Sequence, residues 1–318
     1  MEGEVSRRTM DRIVAVLLLA VAACSPAADE PTIRSGAGES RNTSGPLVVY
    51  VVNYPLLYFA ERIGGAAVQA EFPAPPLGDP AYWQPGPARI AEYQVADLIV
   101  RNGATYAKWI DLVTLPESKV VDTSTRFADD FITVEGAATH SHGPSGAHTH
   151  GETAFTTWLD PLLAIEQARA IRDAFVAARR EREADFDTNF AALQSDLEAL
   201  DARLVSLTRN AGDAPLLASH PVYQYFARRY GLNLESVHFE PDEMPDEAAW
   251  RALEQLVASH PARWMIWEGQ PSDDIVDRLR LMGIGSVVYD PVGNRPADGD
   301  FLAVMLQNIL NLQAIFSP

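Results

Sequence analysis

Leu47 to Val52 is an unbroken apolar and β-branched run, the pattern of a strand buried on both faces of a parallel sheet. Asn53-Tyr54-Pro55 ends it. A helix is expected over Leu56–Ile63, closed by Gly64-Gly65. Val68–Phe72 predicts a second strand, and Pro73 to Pro87 a proline-rich loop. A helix over Ala88–Tyr93, a strand over Asp97–Val100 and a helix over Tyr106–Leu112 follow. From Pro161 to Arg182 the chain reads as helix. After it, Phe186, Phe190, Leu193, Leu197, Leu200, Leu204 and Leu207 recur at steps of 4, 3, 4, 3, 4 and 3, one apolar stripe along a helix. About 22 residues at 1.5 Å each make it roughly 33 Å long. Asn210 to Pro215 ends it, and alternation resumes. Strands are expected over Leu216–Ala218, Leu234–Phe239, Trp264–Trp267 and Ser286–Tyr289, and helices over Tyr223–Tyr230, Glu247–Ser259, Asp273–Met282 and Phe301–Ile315. The fold class is therefore α/β, with two lobes (47–182 and 211–318), each a parallel-type sheet flanked by helices, joined by one bridging helix over 183–210.

The residues ahead of the first strand have a different logic. Arg7, Arg8 and Arg12 precede a short apolar run from Ile13 to Ala23, the layout of a secretory signal over 1–23. The run falls short of the roughly 20 residues that span a bilayer. The single cysteine, Cys24, follows Leu19-Ala20-Val21-Ala22-Ala23 directly, which resembles a bacterial lipobox. Lipidation at Cys24 is expected, with residues 24–46, rich in Ser, Ala, Gly, Pro and Thr, as a flexible tether. A lone cysteine excludes an internal disulfide and a cysteine-based zinc site. The chain of 318 residues carries 25 Lys+Arg against 43 Asp+Glu, a formal net charge of −18. Such a chain repels phosphate backbones, so nucleic acid is not an expected partner.

Four of the seven histidines, His140, His142, His148 and His150, fall in one Gly-containing loop over 136–151. They read as a low-complexity loop, able to collect zinc weakly through neutral imidazole. His238 and His260 carry no such setting. In the second lobe, three strands end on chemistry: Ser219-His220-Pro221, Glu268-Gly269-Gln270 and Asp290-Pro291. Imidazole with carboxylates suits zinc or manganese, and ligands in such sheets sit beyond the carboxyl ends of strands. Each of the three residues alone could equally be a cap or a turn former.

Taken together, Asn53-Tyr54-Pro55 with Phe59 to Gly65, Ala96 to Gly103, Trp158-Leu159-Asp160-Pro161, Ser219-His220 with Tyr225 to Leu232, and Tyr289 to Gly293 resemble the zinc/manganese solute-binding lipoproteins of bacterial ABC importers. The resemblance runs over most of the chain from Val48 on. It implies two α/β lobes bridged by one long helix, no catalysis, and a divalent cargo (zinc first, manganese or another ion as the alternative). It also implies a membrane permease as partner, a monomer, and a place in the cell envelope, periplasmic or outer-surface, on a lipid anchor. It assigns His220 and Asp290 as ligands, with Glu268 as a further candidate. The two histidines that the family places in the first lobe correspond here to Ala81 and Thr156. Two readings remain. In one, His220, Asp290 and Glu268 hold a metal with help from the loop histidines or water. In the other, the scaffold is an adaptor whose cleft is lined by aromatics, Trp83 and Trp158 with Tyr82 and Trp267. A metal-dependent hydrolase is the third class, but no nucleophile or general-base motif accompanies the ligands.

Overall fold

A computed structural model describes residues 45–134, 139–141, 147–149 and 153–316. The signal, Cys24, most of the tether, His142 and His150 lie outside the described residues. Strand β1 (Leu47–Val51) forms where the sequence pattern placed it, and Asn53 turns the chain at its end. The Asn53 side chain accepts a hydrogen bond from the Leu56 amide at 3.0 Å, and Pro55 pre-sets the first turn of α1 (Tyr54–Gly64). β2 (Val68–Glu71), α2 (Pro87–Val95) and β3 (Leu98–Arg101) follow. β4 (Val120–Asp122) completes a parallel sheet in the order β2-β1-β3-β4.

In the second half, β7 (Pro215–Ala218), β8 (Asn233–Ser236), β9 (Trp264–Trp267) and β10 (Gly285–Val288) form another parallel sheet, ordered β10-β9-β7-β8. Counted from the first strand of each half, both sheets run second, first, third, fourth. Each therefore has a switch point where its first and third strands lie side by side: β1 with β3, and β7 with β9. Loops leaving two such neighbours part to opposite sides and open a crevice. The helices of the second half are α5 (Gln224–Tyr230), α6 (Glu247–Ser259), α7 (Asp273–Leu281) and α8 (Phe301–Phe316).

The predicted continuous helix to Arg182 is two pieces. α3 (Pro161–Ala178) stops, a 3-10 turn covers Arg180–Arg182, and α4 (Glu183–Thr208) begins. α4 buries the predicted stripe: Phe186, Phe190, Leu193, Leu197, Leu200 and Leu204 are all inside. It packs on α1 and α3 of the first half and on α5 and α8 of the second. Asp201 on α4 takes a two-pronged bond from Arg229 at 2.9 and 2.6 Å and a third from the Tyr230 hydroxyl at 3.0 Å. Both sheets and α4 belong to one compact unit spanning residues 44–318.

Three local expectations are corrected. Tyr106–Leu112 is no α-helix. Gly103, Ala104, Thr105 and Ala107 all take positive φ, and only a 3-10 turn over Lys108–Leu112 forms. A left-handed run cannot feed an α-helix of L-residues. β4 carried too few apolar residues to register as a strand. The histidine loop is also more regular than low-complexity sequence suggests. β5 (Thr139–Ser141) pairs antiparallel with β6 (Ala147–Thr149), setting His140 opposite His148 in the backbone register. Among the described residues no helix is long and apolar enough to cross a membrane.

Candidate metal site

β7 ends at Ala218, and the Ser219 amide still pairs with the Ile266 carbonyl of β9 at 2.8 Å. That bond carries the strand geometry one residue further and drops His220 at the switch point, where it is 1 % exposed. β9 delivers Glu268 from the neighbouring strand. β8 is continued by Phe239, whose amide donates to the Ser219 carbonyl at 2.8 Å, and so delivers Glu240. The imidazole of His220 is held between two carboxylates: Nε2 lies 3.3 Å from Oε1 of Glu240, and Nδ1 lies 3.3 Å from Oε1 of Glu268. One donor atom from each of the three falls within 4.8 Å of the other two, the one such metal-competent group among the described residues.

Burial by itself lowers the pKa of His220. The hydrogen bond to Glu240 and the charges of Glu268 and Glu240 act the other way and prevail, so the ring titrates above the ordinary histidine range. Asp290, leaving β10, stands in the same cavity wall. Its backbone is pinned by Asn308 of α8, which accepts from the Asp290 amide at 2.9 Å and donates to its carbonyl at 2.7 Å. Its carboxylate accepts from the Val292 amide at 2.7 Å, while burial raises its pKa. Val292 itself sits at φ 57°, a left-handed conformation that a β-branched residue adopts only under constraint.

The cavity has a volume of about 280 Å³. His220, Glu268 and Asp290 form its polar side; Tyr106, Phe155, Trp158 and Val222 give it aromatic and aliphatic walls; Gly78, Asp79 and Pro80 approach from the proline-rich loop. Trp158 is locked in place by donating from Nε1 to the Pro291 carbonyl at 2.7 Å. All three residues expected at strand ends thus reach one cavity. Asp290 lies outside the tight His220–Glu240–Glu268 group. Of the two expected lining tryptophans, Trp158 is in the wall. Trp83 is a correction: it stacks edge-on against Trp109, with ring centres 6.3 Å apart, over a smaller depression. Trp267 is fully buried in the core of the second half. Tyr82 packs edge-on on Phe155.

Sequence reasoning passed over Glu240 and His238. The signal was available: Phe239-Glu240-Pro241 repeats the strand-end carboxylate pattern of Glu268 and Asp290, and Glu240 directly follows the expected strand over Leu234–Phe239. His238 is exposed, and its ring stands edge-on to His220 at 5.8 Å. Thr156 is buried and gives its hydroxyl to the Val222 carbonyl, across the cavity floor. Ala81 is buried too, its amide bonded to Oδ1 of Asp79 at 2.8 Å. For His140 and His148 only the backbone register is described. In the first half, the switch point holds amides instead of ligands: Asn53 donates to Asn102 at 3.1 Å, and Gln167 donates to the same oxygen at 3.0 Å.

Comparison with known proteins adds to this geometry. Residues 49–315 match the family model described as ZnuA, zinc-uptake complex component A, periplasmic. The zinc-binding lipoprotein AdcA of Streptococcus pneumoniae is 24 % identical over 286 residues, covering 86 % of this chain and 56 % of its own length. The chain thus spans little more than half of that relative. The high-affinity zinc uptake system protein ZnuA of Bacillus subtilis is 23 % identical, covering 84 % of this chain and 82 % of its own. Among solved structures, the Zn(II)-bound ZnuA-like domain of Streptococcus pneumoniae AdcA superposes with a TM-score of 0.73 at 22 % identity, over 86 % of this chain and all of that one. The metal-dependent lipoprotein YcdH of Bacillus subtilis gives 0.72 at 21 % identity, over 84 % and 98 %.

Proposed function

Since the chain belongs to the ZnuA family of zinc-uptake complex components, we propose that it captures a divalent metal ion, zinc first, outside the cytoplasm and delivers it to the membrane permease of an ABC importer. It catalyses no reaction. The observation that carries this reading is His220 at the switch point of the second sheet, with a carboxylate at each ring nitrogen and Asp290 in the same cavity. A buried imidazole flanked by carboxylates is a donor set that zinc, a borderline ion, prefers.

The two ring nitrogens take different parts. Glu268 and Asp290 line the cavity, so the ion is held from that side by Nδ1 of His220 and those two carboxylates. Glu240, at Nε2, accepts the remaining N–H, which fixes the tautomer and aims the ring. Cys24 carries the lipid that keeps the protein at the membrane, in reach of its permease. The histidines of the 136–151 loop collect metal loosely ahead of the site.

Calorimetry on the purified protein tests the reading. One tight zinc site is expected, lost or weakened more than about 100-fold in His220→Ala, since a first ligand matters more than an outer partner. If deletion of 139–149 abolishes tight binding while His220→Ala does not, the site belongs to the histidine hairpin. Absence of zinc and manganese binding would leave a scaffold acting as an adaptor.

A further inference from the structure

The donors assigned above, His220, Glu268 and Asp290, all come from the second half of the molecule. Zinc takes four ligands, and three side chains leave the fourth position to water. The first half supplies the facing wall of the cavity. Resting on the metal site's reading as given, we infer that a water molecule is the fourth ligand and that the hydroxyl of Tyr106 is its hydrogen-bond partner. The first half then holds the ion through solvent and not through a side chain.

The polar groups of that wall lead there. Its polar side chains from the first half are Asp79, Tyr106, Thr156 and Trp158. Thr156 gives its hydroxyl to the Val222 carbonyl, and Trp158 gives its indole N–H to the Pro291 carbonyl at 2.7 Å. Asp79 accepts from the Ala81 amide at 2.8 Å. Tyr106 is the exception. It is 2 % exposed, and its hydroxyl finds no hydrogen-bond partner among the described residues. Buried polar groups are satisfied as a rule, so a bare hydroxyl on the wall of a cavity marks the place of a ligand.

The phenol is also held firmly. Its ring stands edge-on to Phe155 at 5.2 Å and to Trp158 at 5.8 Å. The backbone that brings it to the wall is left-handed at Gly103, Ala104 and Thr105 before it and at Ala107 after it. Such a run of non-glycine residues is costly and persists only where the surrounding contacts impose it. The Tyr106 amide closes the turn on the Gly103 carbonyl at 3.0 Å. Burial pushes the phenol well above its ordinary titration range, so it keeps its proton and is no phenolate ligand. A neutral phenol both donates and accepts, and water on zinc is acidic and therefore a strong donor. The two fit each other without any charge from the first half. Four positions around the ion are filled in this way although Ala81 and Thr156 supply no ligand.

The test compares zinc affinity with the stability of the metal-free protein. Tyr106→Phe keeps the ring and removes the hydroxyl. Zinc is expected to bind about 10–100-fold more weakly. The metal-free variant should unfold no more easily than the parent, because an unpartnered hydroxyl adds nothing to the fold. Cobalt(II) bound in place of zinc reads the solvent position itself: azide should displace the water and change the visible absorption of the parent protein. This inference is overturned, and the carrier function left standing, if His220→Ala loses the ion while Tyr106→Phe keeps full affinity. It is equally overturned if the metal-free Tyr106→Phe protein is destabilised, since the hydroxyl then serves the fold, or if the cobalt(II) spectrum ignores azide. Unchanged zinc affinity in His220→Ala overturns the site itself.

Discussion

Burial alone would drive the charge off His220, yet Glu240 and Glu268 hold the ring above its ordinary titration range. The sign of the consequence is definite. In the metal-free protein, the raised pKa contributes stability that is fully present below the unfolded histidine value and is lost as pH rises through the folded one. The ion needs the neutral ring. Zinc affinity should therefore begin to fall, on acidification, at a higher pH than an ordinary histidine with a pKa of about 6.5 would allow. Titrations of zinc at a series of pH values would show this, and an onset at or below the ordinary range would refute it. Glu240 has a separate role, since it grips the far nitrogen. Glu240→Ala should weaken zinc by about 10–100-fold without removing a cavity ligand. Loss as complete as in His220→Ala would instead make Glu240 a ligand. His220, Glu268 and Asp290 were legible in the sequence because each stands at the end of an apolar run, His220 one residue past Ser219. Glu240 carries the same mark behind Phe239 and was still passed over, because nothing local in the sequence sets it against His220. Only the path of the backbone decides what it faces.

Among the elements, α4 was the most readable, and the reason is its length. Seven apolar residues on a 3.5-residue beat leave no competing assignment. Leu197, fully buried in the middle of that helix, should cost about 2–5 kcal/mol when cut to alanine. Thermal or urea unfolding measures it, and a loss below about 1 kcal/mol would mean that α4 is not the spine of the core. The short elements were the least readable. β4 offers two valines before Asp122, and its strand character comes from pairing with β3 and not from its own residues. Tyr106–Leu112 was expected as a helix, but ahead of it Gly103 could bear no side chain: a Cβ there would meet Oγ of Ser124 at 1.8 Å. The Ser124 and Asp122 side chains crowd that position, which lies on the left-handed path that leads to Tyr106.

At the scale of the molecule, the two halves are joined by more than α4. Trp158 bonds to Pro291, Thr156 to Val222, the Tyr225 hydroxyl to Ala154, and the Tyr54 amide to Gly293. A large hinge would break all of these at once, so these bonds oppose a closure of one half onto the other. Solution scattering should accordingly show a radius of gyration that changes on the order of 1 Å or less when zinc is added. A clear contraction would demonstrate a domain closure that these bonds oppose.

The sequence by itself determined the two α/β halves, the long helix between them and the strand-end residues of the second sheet. Those features follow from the period of apolar side chains and from which residue comes next in the chain, and both are local properties. Tertiary structure alone decided that the strand ends share one cavity, that Glu240 lies at the far nitrogen of His220, and that Thr156 is committed to a backbone carbonyl. Each of these depends on strand order. The switch points arise because the first and third strands of each sheet are neighbours, a pairing over long sequence separation that no local pattern records.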